Sequence, residues 1–262
     1  MTGLELPGGG RVLFTTREHG NLATDRGPRA QDGACVRESL RKRLGLYGLV
    51  HARQVHGTTV QRFGGAADGF GLTGEGAAAG ASTLDAALST ALGPALGEPP
   101  SEFGAPAAPA GGPQADGHAT ALPGVGVMVL VADCLPVALA GDGAVAMLHA
   151  GWRGLAAGVL EEGVRALREV GGRGQMSAVI GPGAGVCCYE VGDDVHDKLG
   201  AGHPHREGRH LDMRALARER LRNAGVAQIE DVPLCTVCEQ GLFSHRREGD
   251  AAGRQAGIAW LS

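Results

Sequence analysis

Two short motifs joined by a hairpin pattern constrain this chain more than any other feature. Residues 131–136 read VADCLP and residues 149–154 read HAGWRG, and two apolar runs lie between them. The runs flank Asp142-Gly143, and Asp-Gly is a strong signal for a tight β-hairpin turn. A two-residue turn pairs Gly141 with Ala144 and places Cys134 opposite Gly151, whereas a three-residue turn places it opposite Ala150. Either register brings Cys134 and His149 within roughly 5–8 Å at Cα.

A cysteine and a histidine at one end of a hairpin can share a metal ion or a proton. His56, at the end of the β-rich run 50–57, is the candidate for a third group. His56, Cys134 and His149 form a donor set that zinc accepts, with a fourth position left for water or substrate. A second interpretation makes Cys134 a nucleophile and His149 its base. A third is a buried structural cysteine with two hydrogen-bonded histidines, and the residues alone leave all three open.

Composition sets the class of protein. The chain has 262 residues and a formal net charge of −4, which gives no reason to expect nucleic-acid binding. The N-terminus has no basic segment followed by an apolar one, and no apolar run approaches a membrane span. We therefore predict a cytoplasmic protein with one domain over residues 1–262, with no membrane partner, as a monomer or weak dimer.

The hydrophobic pattern predicts an α+β fold with a mixed β-sheet core flanked by helices. Strand-to-strand hairpins outnumber regular βαβ crossovers, which argues against a doubly wound fold. Besides the hairpin, strands are predicted at residues 11–16, 49–55, 125–131, 177–180 and 226–229. Helices are predicted at residues 34–44, 155–170 and 211–224, with Asp212 as a cap for the last.

Residues 64–112 differ from the rest of the chain. They are dominated by Gly, Ala and Pro and contain few large apolar side chains. Such a segment buries too little surface to offset the entropy of ordering it. We expect a mobile, low-complexity insertion, apart from a short Ala-rich helix after Ser82.

The six cysteines do not predict a disulfide framework in a cytosolic chain of this length. Cys235 and Cys238 have the CxxC spacing of a redox or zinc knuckle. No second CxxC pair completes a four-ligand site, so we predict free, partly buried thiols.

Six motifs taken together, in this order along the chain, resemble the YfiH family. It is also called the polyphenol oxidase or laccase-domain family, and it includes the mammalian laccase-domain-containing protein. The motifs cover nearly the whole chain outside residues 64–112. They are FTTR at 14–17, RQVHG at 53–57, ADCLP at 132–136, HAGWRG at 149–154, GP at 181–182 with CYEV at 188–191, and FSHRR at 243–247.

The resemblance implies an α+β fold related to Cys–His hydrolases, with zinc bound by His56, Cys134 and His149 as the catalytic residues. It also implies purine nucleoside phosphorylase activity on adenosine, inosine, guanosine and methylthioadenosine, together with adenosine deamination. Purine nucleosides and inorganic phosphate would be the partners. The candidates for substrate binding are Arg17, Arg53 and Arg153.

Two alternatives and two departures accompany this interpretation. The family's older name implies copper-dependent oxidation of phenols, but the 10 histidines are scattered and do not resemble a His-rich trinuclear cluster. A metal-free cysteine hydrolase is the other alternative.

The sequence departs from the family pattern in two segments. The stretch between His56 and Asp116 is longer than the family norm, and the turn after Arg17 is compressed.

Overall fold

The structure is a computed structural model that describes residues 4–23, 30–64, 113–200 and 203–262. The strands are β1 (Leu4–Leu6), β2 (Gly10–Phe14), β3 (Gly48–Val50), β4 (Val60–Phe63), β5 (Gly117–Thr120), β6 (Val125–Val131), β7 (Leu135–Asp142), β8 (Ala144–Ala150), β9 (Arg173–Ile180), β10 (Arg206–Glu207), β11 (His210–Leu211), β12 (Gln228–Asp231) and β13 (Gln255–Leu261). The α-helices are α1 (Ala30–Arg43), α2 (Trp152–Ala157), α3 (Val159–Glu169), α4 (Asp193–Lys198), α5 (Met213–Asn223) and α6 (His245–Glu248).

Two mixed sheets form the centre of the fold. The six-stranded sheet has the order β12-β9-β7-β8-β5-β4, and the five-stranded sheet has the order β1-β2-β13-β6-β3. Both sheets combine parallel and antiparallel pairs: β4 runs parallel to β5, whereas β7 and β8 are antiparallel. The predicted α+β class with a mixed sheet core and flanking helices is therefore confirmed.

The two sheets pack face to face between two layers of helix. Val127 and Val129 of β6 lie in one apolar cluster with Val145 and Met147 of β8, which joins the sheets. Met128, between the two valines, points to the opposite face, as successive strand residues do. That face is covered by α1, and the outer face of the six-stranded sheet is covered by α3 and α5. Strands covered on both sides read as continuous apolar runs, as β8 does.

Several sequence predictions are confirmed. β6 occupies the predicted residues, and the hairpin closes with Gly141 paired to Ala144, as the two-residue turn requires. The Asp212 carboxylate accepts a hydrogen bond from the backbone N–H of Ala215 at 2.9 Å and caps α5. Strands are present near residues 11–16, 177–180 and 226–229, with ends that differ from those predicted.

Other predictions are wrong in part. The helix predicted over 155–170 is two helices, because Gly158 has φ 95°, a left-handed conformation that ends α2. The strand predicted over 49–55 ends at Val50, and the chain then forms an irregular loop to β4. The helix predicted over 34–44 begins at Ala30. The prediction also missed several elements, namely β1, β4, β5, β10, β11, β13, α4 and α6.

Two further predictions concern regions of special composition. Residues 65–112, which make up nearly all of the predicted insertion and include its Ala-rich helix, lie outside the described residues. Among the helices that the structure describes, none is long and apolar enough to cross a membrane.

Candidate functional site

Cys134 and His149 meet at the open end of the β7–β8 hairpin. Cys134 immediately precedes β7, and the pairing of Leu135 with Ala150 places it opposite Gly151. His56 approaches from the loop between β3 and β4, and its Nε2 lies 3.8 Å from Cys134 Sγ. One ligand atom from each of His56, Cys134 and His149 lies within 4.8 Å of the others. The three residues singled out from the sequence are thus brought together.

Asp116 holds the loop that carries His56. Its buried carboxylate accepts backbone N–H bonds from His56 at 2.9 Å and from Gly57 at 2.7 Å, and it also accepts from Val55. His56 has φ 60°, a left-handed conformation that is uncommon for a residue with a side chain. The hydrogen bonds to Asp116 stabilise this conformation and so direct the imidazole towards Cys134.

The same carboxylate orients His149. Oδ1 of Asp116 lies 2.8 Å from Nδ1 of His149, and both side chains are buried. Because a carboxylate only accepts, Nδ1 carries the proton and Nε2 is left free to bind a metal ion or Cys134. Burial opposes the ionisation of Asp116, but the hydrogen bonds from His149 and Gly57 outweigh it and lower its pKa.

Asp133 performs a similar task for Cys134. It has φ 93°, and its Oδ1 accepts a hydrogen bond from Thr236 Oγ1 at 2.6 Å. Its Oδ2 accepts one from the backbone N–H of Arg246 at 2.7 Å. The backbone at Asp133 is therefore fixed in a conformation that starts β7 and presents the next side chain, Cys134, to the histidines.

Glycine 151 provides the space in which the ligands meet. A Cβ atom built on Gly151 would lie 2.9 Å from Cys134 Sγ and 3.1 Å from His56 Cδ2. At the first distance, Cys134 Sγ would have to shift to make room for any side chain at position 151. The glycine of the HAGWRG motif therefore has a steric role that its backbone angles, φ −78° and ψ 166°, do not reveal.

The electrostatics favour a thiolate at Cys134. Burial alone would raise the pKa of Cys134. His149 and His56 outweigh this effect through their charges and hydrogen bonds, and the pKa of Cys134 falls to about 6. Burial lowers the pKa of His149, whereas Cys134 and Asp116 raise it to about 9. Cys134 and His149 thus stabilise each other's charged forms, which gives an activated sulfur ligand or nucleophile.

Access to the group is from one side. His149 is buried, Cys134 is half-buried and His56 is exposed. Burial, with a smaller contribution from the charge of the nearby Cys134 thiolate, raises the pKa of Tyr189 to about 12. The guanidinium of Arg246 stacks 4.2 Å from the centre of the Tyr189 ring.

The three arginines predicted to bind substrate differ in their surroundings. Arg17 is already engaged: it pairs with Glu248, donates to the carbonyl of Leu242 at 3.0 Å and stacks on Phe243. Arg153 is exposed, with its guanidinium 4.4 Å from the centre of the Trp152 ring. Arg53 is exposed in the loop that leads to His56.

The prediction that no second pair joins Cys235 and Cys238 in a four-ligand site was wrong. Cys187 and Cys188 provide the second pair that Cys235 and Cys238 lacked, and the four sulfurs lie within 4.8 Å of one another. A hydrogen bond with Cys238, together with burial, raises the pKa of Cys188 to about 12. Burial opposes the ionisation of Cys235, but backbone N–H donors, first that of Gly185, lower its pKa to about 7.

Asp116, Asp133 and Thr236 were missed as site residues. Asp133 lies inside the ADCLP motif beside Cys134, so its position was a usable signal. Asp116 precedes the short buried strand β5, and an acidic residue at the entry to a buried strand is a weaker signal. Nothing local to Thr236 indicates that its hydroxyl reaches Asp133.

Comparison with known proteins gives relatives over much of the chain. A purine nucleoside phosphorylase of Xylella fastidiosa is 42% identical over 163 residues, which are 57% of this chain and 62% of the relative. Purine nucleoside phosphorylase YfiH of Escherichia coli is 37% identical over 158 residues, 56% of this chain and 64% of the relative. The chain thus spans less than two thirds of the length of these relatives.

Solved structures of the same fold cover the whole chain. YlmD of Geobacillus stearothermophilus has a TM-score of 0.72 and 26% identity, covering 100% of this chain and 96% of that one. A Neisseria meningitidis protein has a TM-score of 0.71 and 29% identity, covering 100% and 98%. The family model described as "Multi-copper polyphenol oxidoreductase laccase" matches residues 11–262. The chain belongs to this laccase-like family, to which the sequence motifs had pointed under the name YfiH.

Proposed function

We propose that this protein is a zinc-dependent purine nucleoside phosphorylase that accepts adenosine, inosine, guanosine and methylthioadenosine. The observation that carries the proposal is the convergence of His56, Cys134 and His149 at the open end of the β7–β8 hairpin. The names of the relatives from Xylella fastidiosa and Escherichia coli support the phosphorylase activity.

The donor set fits zinc. Two imidazoles and one thiolate are borderline and soft ligands, and three protein ligands with an accessible side are typical of catalytic zinc sites. Asp116 acts behind His149 as the carboxylate that commonly supports a zinc-bound histidine. Bound zinc would supply a Lewis acid and a positive charge at this position.

Phosphorolysis exchanges one bond at C1′ of the ribose for another. A phosphate oxygen forms a bond to C1′ while the bond from C1′ to the purine nitrogen breaks, and the leaving purine takes up a proton. Cationic side chains near the ligands would hold the phosphate anion. We assign this role to Arg153 and Arg53, which belong to the motifs that carry His149 and His56. Arg246, whose guanidinium stacks on Tyr189 and whose backbone N–H donates to Asp133 next to Cys134, is a further candidate cation.

Arg17 fits this task less well than the other arginines. Its guanidinium pairs with Glu248 and stacks on Phe243. Binding of substrate by Arg17 would have to replace these contacts. We therefore assign Arg17 to the support of the segment 242–248, and assign phosphate binding to Arg53 and Arg153.

Adenosine deamination is the second activity that we propose for the same site. In this reaction a water oxygen replaces the amino group at C6 of the purine, and ammonia leaves. Zinc deaminases of nucleobases use a thiolate and imidazole ligand set of the same kind. Adenosine would then yield inosine, which is itself a substrate for phosphorolysis.

Two alternatives make different predictions. A multicopper oxidase needs a histidine-rich cluster beside its cysteine-ligated copper. Among the described residues the other potential metal-binding cluster consists of cysteines alone, which disfavours that chemistry. A metal-free cysteine hydrolase is favoured by one observation, the lowered pKa of Cys134 beside His149. It would use Cys134 as a nucleophile and form an acyl-enzyme.

The decisive experiment compares the full chain with His149→Ala and Cys134→Ser. We expect the wild type to release hypoxanthine from inosine only when phosphate is present. Each variant should lose this activity and should also contain one equivalent less of bound zinc than the wild type. Cys35→Ser, at an exposed position on α1, is the matched control and should change neither quantity. Circular dichroism of each variant checks that it is folded.

Other results would reject the proposal in distinct ways. Full phosphorolysis by folded Cys134→Ser would exclude the proposed site. Protein that releases no hypoxanthine but forms a covalent acyl adduct on Cys134 would establish the hydrolase. Activity on phenols that requires copper would establish the oxidase.

A further inference from the structure

The cluster of Cys187, Cys188, Cys235 and Cys238 is built from two loops that lie far apart in the sequence. Cys187 and Cys188 lie in the turn after β9, and Cys235 and Cys238 follow β12, the parallel neighbour of β9. The two loops are joined by an isolated bridge between Gly183 and Cys235. The ends of two adjacent parallel strands therefore place all four sulfurs at one edge of the six-stranded sheet.

The distances between the sulfurs suit one tetrahedral metal ion. Cys238 Sγ lies 3.8 Å from Cys187 Sγ and 3.4 Å from Cys188 Sγ. Zinc binds thiolates at about 2.3 Å, so two sulfurs in a regular tetrahedron lie about 3.8 Å apart. A disulfide would need about 2.05 Å. The cluster is therefore spaced for a shared ion and not for a covalent bridge.

The backbone around Cys235 is arranged to accept negative charge on its sulfur. The N–H of Gly185 points to Cys235 Sγ at 3.2 Å. The N–H groups of Val237 and Cys238, within the CxxC turn itself, point to the same atom. Hydrogen bonds from backbone N–H groups stabilise a thiolate, and thiolate is the form that binds metal.

Two half-buried arginines hold the backbone of the turn 235–238 through hydrogen bonds to its carbonyl groups and to the carbonyl just before it. Arg247 Nη1 donates to the carbonyls of Thr236 at 2.7 Å and Val237 at 3.0 Å. Arg214 Nη2 donates to the carbonyl of Leu234 at 2.8 Å, just before the first cysteine of the pair. Four thiolates around a divalent ion carry a net charge of −2, and two guanidinium groups nearby favour that charge.

We propose that Cys187, Cys188, Cys235 and Cys238 bind one zinc ion in a closed structural site, separate from His56, Cys134 and His149. The ion fastens the turn after β9 to the turn after β12. Thr236 lies inside the CxxC turn and donates to Asp133, so the zinc also stabilises the conformation that presents Cys134. This inference does not depend on the proposed activity, because it concerns a different set of ligands.

The test is the zinc content of the full chain, measured by mass spectrometry of the metals, after expression with added zinc and removal of loosely bound ions. We expect Cys235→Ser/Cys238→Ser to contain one equivalent less than the wild type. Cys35→Ser, which removes an exposed cysteine outside the cluster, should keep the wild-type content. Cobalt loaded in place of zinc should give the strong sulfur-to-metal absorption of a tetrathiolate site, and the double variant should lose it.

A second variant guards against failure of the first to fold. Cys187 is exposed, and Cys187→Ser removes a ligand without disturbing the core. It should weaken zinc binding to the cluster and lower the intensity of the cobalt absorption. Equal zinc content in wild type and both variants would overturn the proposal, as would iron in the cluster or a disulfide between Cys188 and Cys238 in the purified protein.

Discussion

The Asp116 carboxylate lies 2.8 Å from Nδ1 of His149 and accepts the backbone N–H of His56 through the same oxygen. One buried side chain thus sets the position of both histidines of the candidate site. His149 comes from the central hairpin and His56 from a distant loop, and Asp116 joins the two segments through direct hydrogen bonds.

Asp116→Asn should lower the zinc affinity of the His56–Cys134–His149 site about 10–100-fold, because the carboxylate that supports His149 is lost. The amide has a single oxygen, so it cannot accept the N–H groups of residues 55–57 and of His149 Nδ1 as the two carboxylate oxygens do. Its NH₂ group is a donor and cannot replace the missing acceptor. Competition for zinc with a coloured chelator measures the change. Asp142→Asn, on the exposed turn at the far end of the hairpin, is the control. Equal zinc affinity in wild type and Asp116→Asn would show that the carboxylate does not support the site.

Gly151→Ala should reduce zinc binding at the candidate site without unfolding the protein. The backbone angles at Gly151 suit alanine, but the added Cβ would lie 2.9 Å from Cys134 Sγ. Displacing a packed group in this way typically costs about 1–3 kcal/mol. Gly48→Ala adds the same methyl group where no atom lies within 4 Å and should have no effect. Zinc titration and thermal unfolding of both variants test this, and unchanged zinc affinity in Gly151→Ala would contradict it.

Thr236→Val should destabilise the protein and disturb Cys134. The substitution keeps the shape of the side chain but removes the hydroxyl that donates to Asp133 Oδ1 at 2.6 Å. Loss of a hydrogen-bond donor to a buried carboxylate lowers the free energy of unfolding by about 1–3 kcal/mol. Urea denaturation measures the free energy of unfolding, and zinc titration reports on Cys134. Thr236→Ser retains the hydroxyl and should recover most of both losses; if serine behaves like valine, the hydrogen bond is not the cause.

His118 should make the protein less stable as the pH falls. Burial, with a smaller contribution from His51, lowers the pKa of His118 from 6.5 to about 3, and neither ring nitrogen has a hydrogen-bond partner among the described residues. Between these values the unfolded chain binds one more proton than the folded chain. Stability from this group is therefore complete above pH 6.5 and declines on acidification, by up to about 1.4 kcal/mol per pH unit.

His118→Leu should remove that contribution. Urea denaturation of the wild type and the variant between pH 5 and 7 gives the two slopes, and the wild type should be the steeper. His245→Leu, at an exposed position, controls for the loss of a histidine as such. Parallel slopes in wild type and His118→Leu would contradict the prediction.

The parts of the fold that were predictable from sequence are those set by local patterns. The β7–β8 hairpin follows from two apolar runs and an Asp-Gly turn, and it fixes the distance between Cys134 and His149 without reference to the rest of the chain. β6 was equally clear. The break at Gly158 was not, because the apolar face of α3 continues the periodicity of α2 across it.

The remaining features depend on contacts between distant segments. Asp116 acquires its role only when β5 lies beside the loop that carries His56, some 60 residues earlier in the chain. The cysteine cluster was not predicted, because Cys187 and Cys188 are adjacent and lack CxxC spacing, and because 50 residues separate Cys188 from Cys238. β13 was missed because its place between β2 and β6 comes from long-range pairing.

The position of β13 has a consequence for how the chain folds. Gly257 pairs with Phe14, so the five-stranded sheet cannot close until segments from opposite ends of the described chain have met. The β7–β8 hairpin needs only neighbouring residues. Since contacts between distant segments form slowly, we expect amides of β7 and β8 to gain protection before those of β2 and β13 in pulsed hydrogen exchange during refolding. The hairpin that carries Cys134 and His149 would then exist as an early template onto which the second sheet assembles.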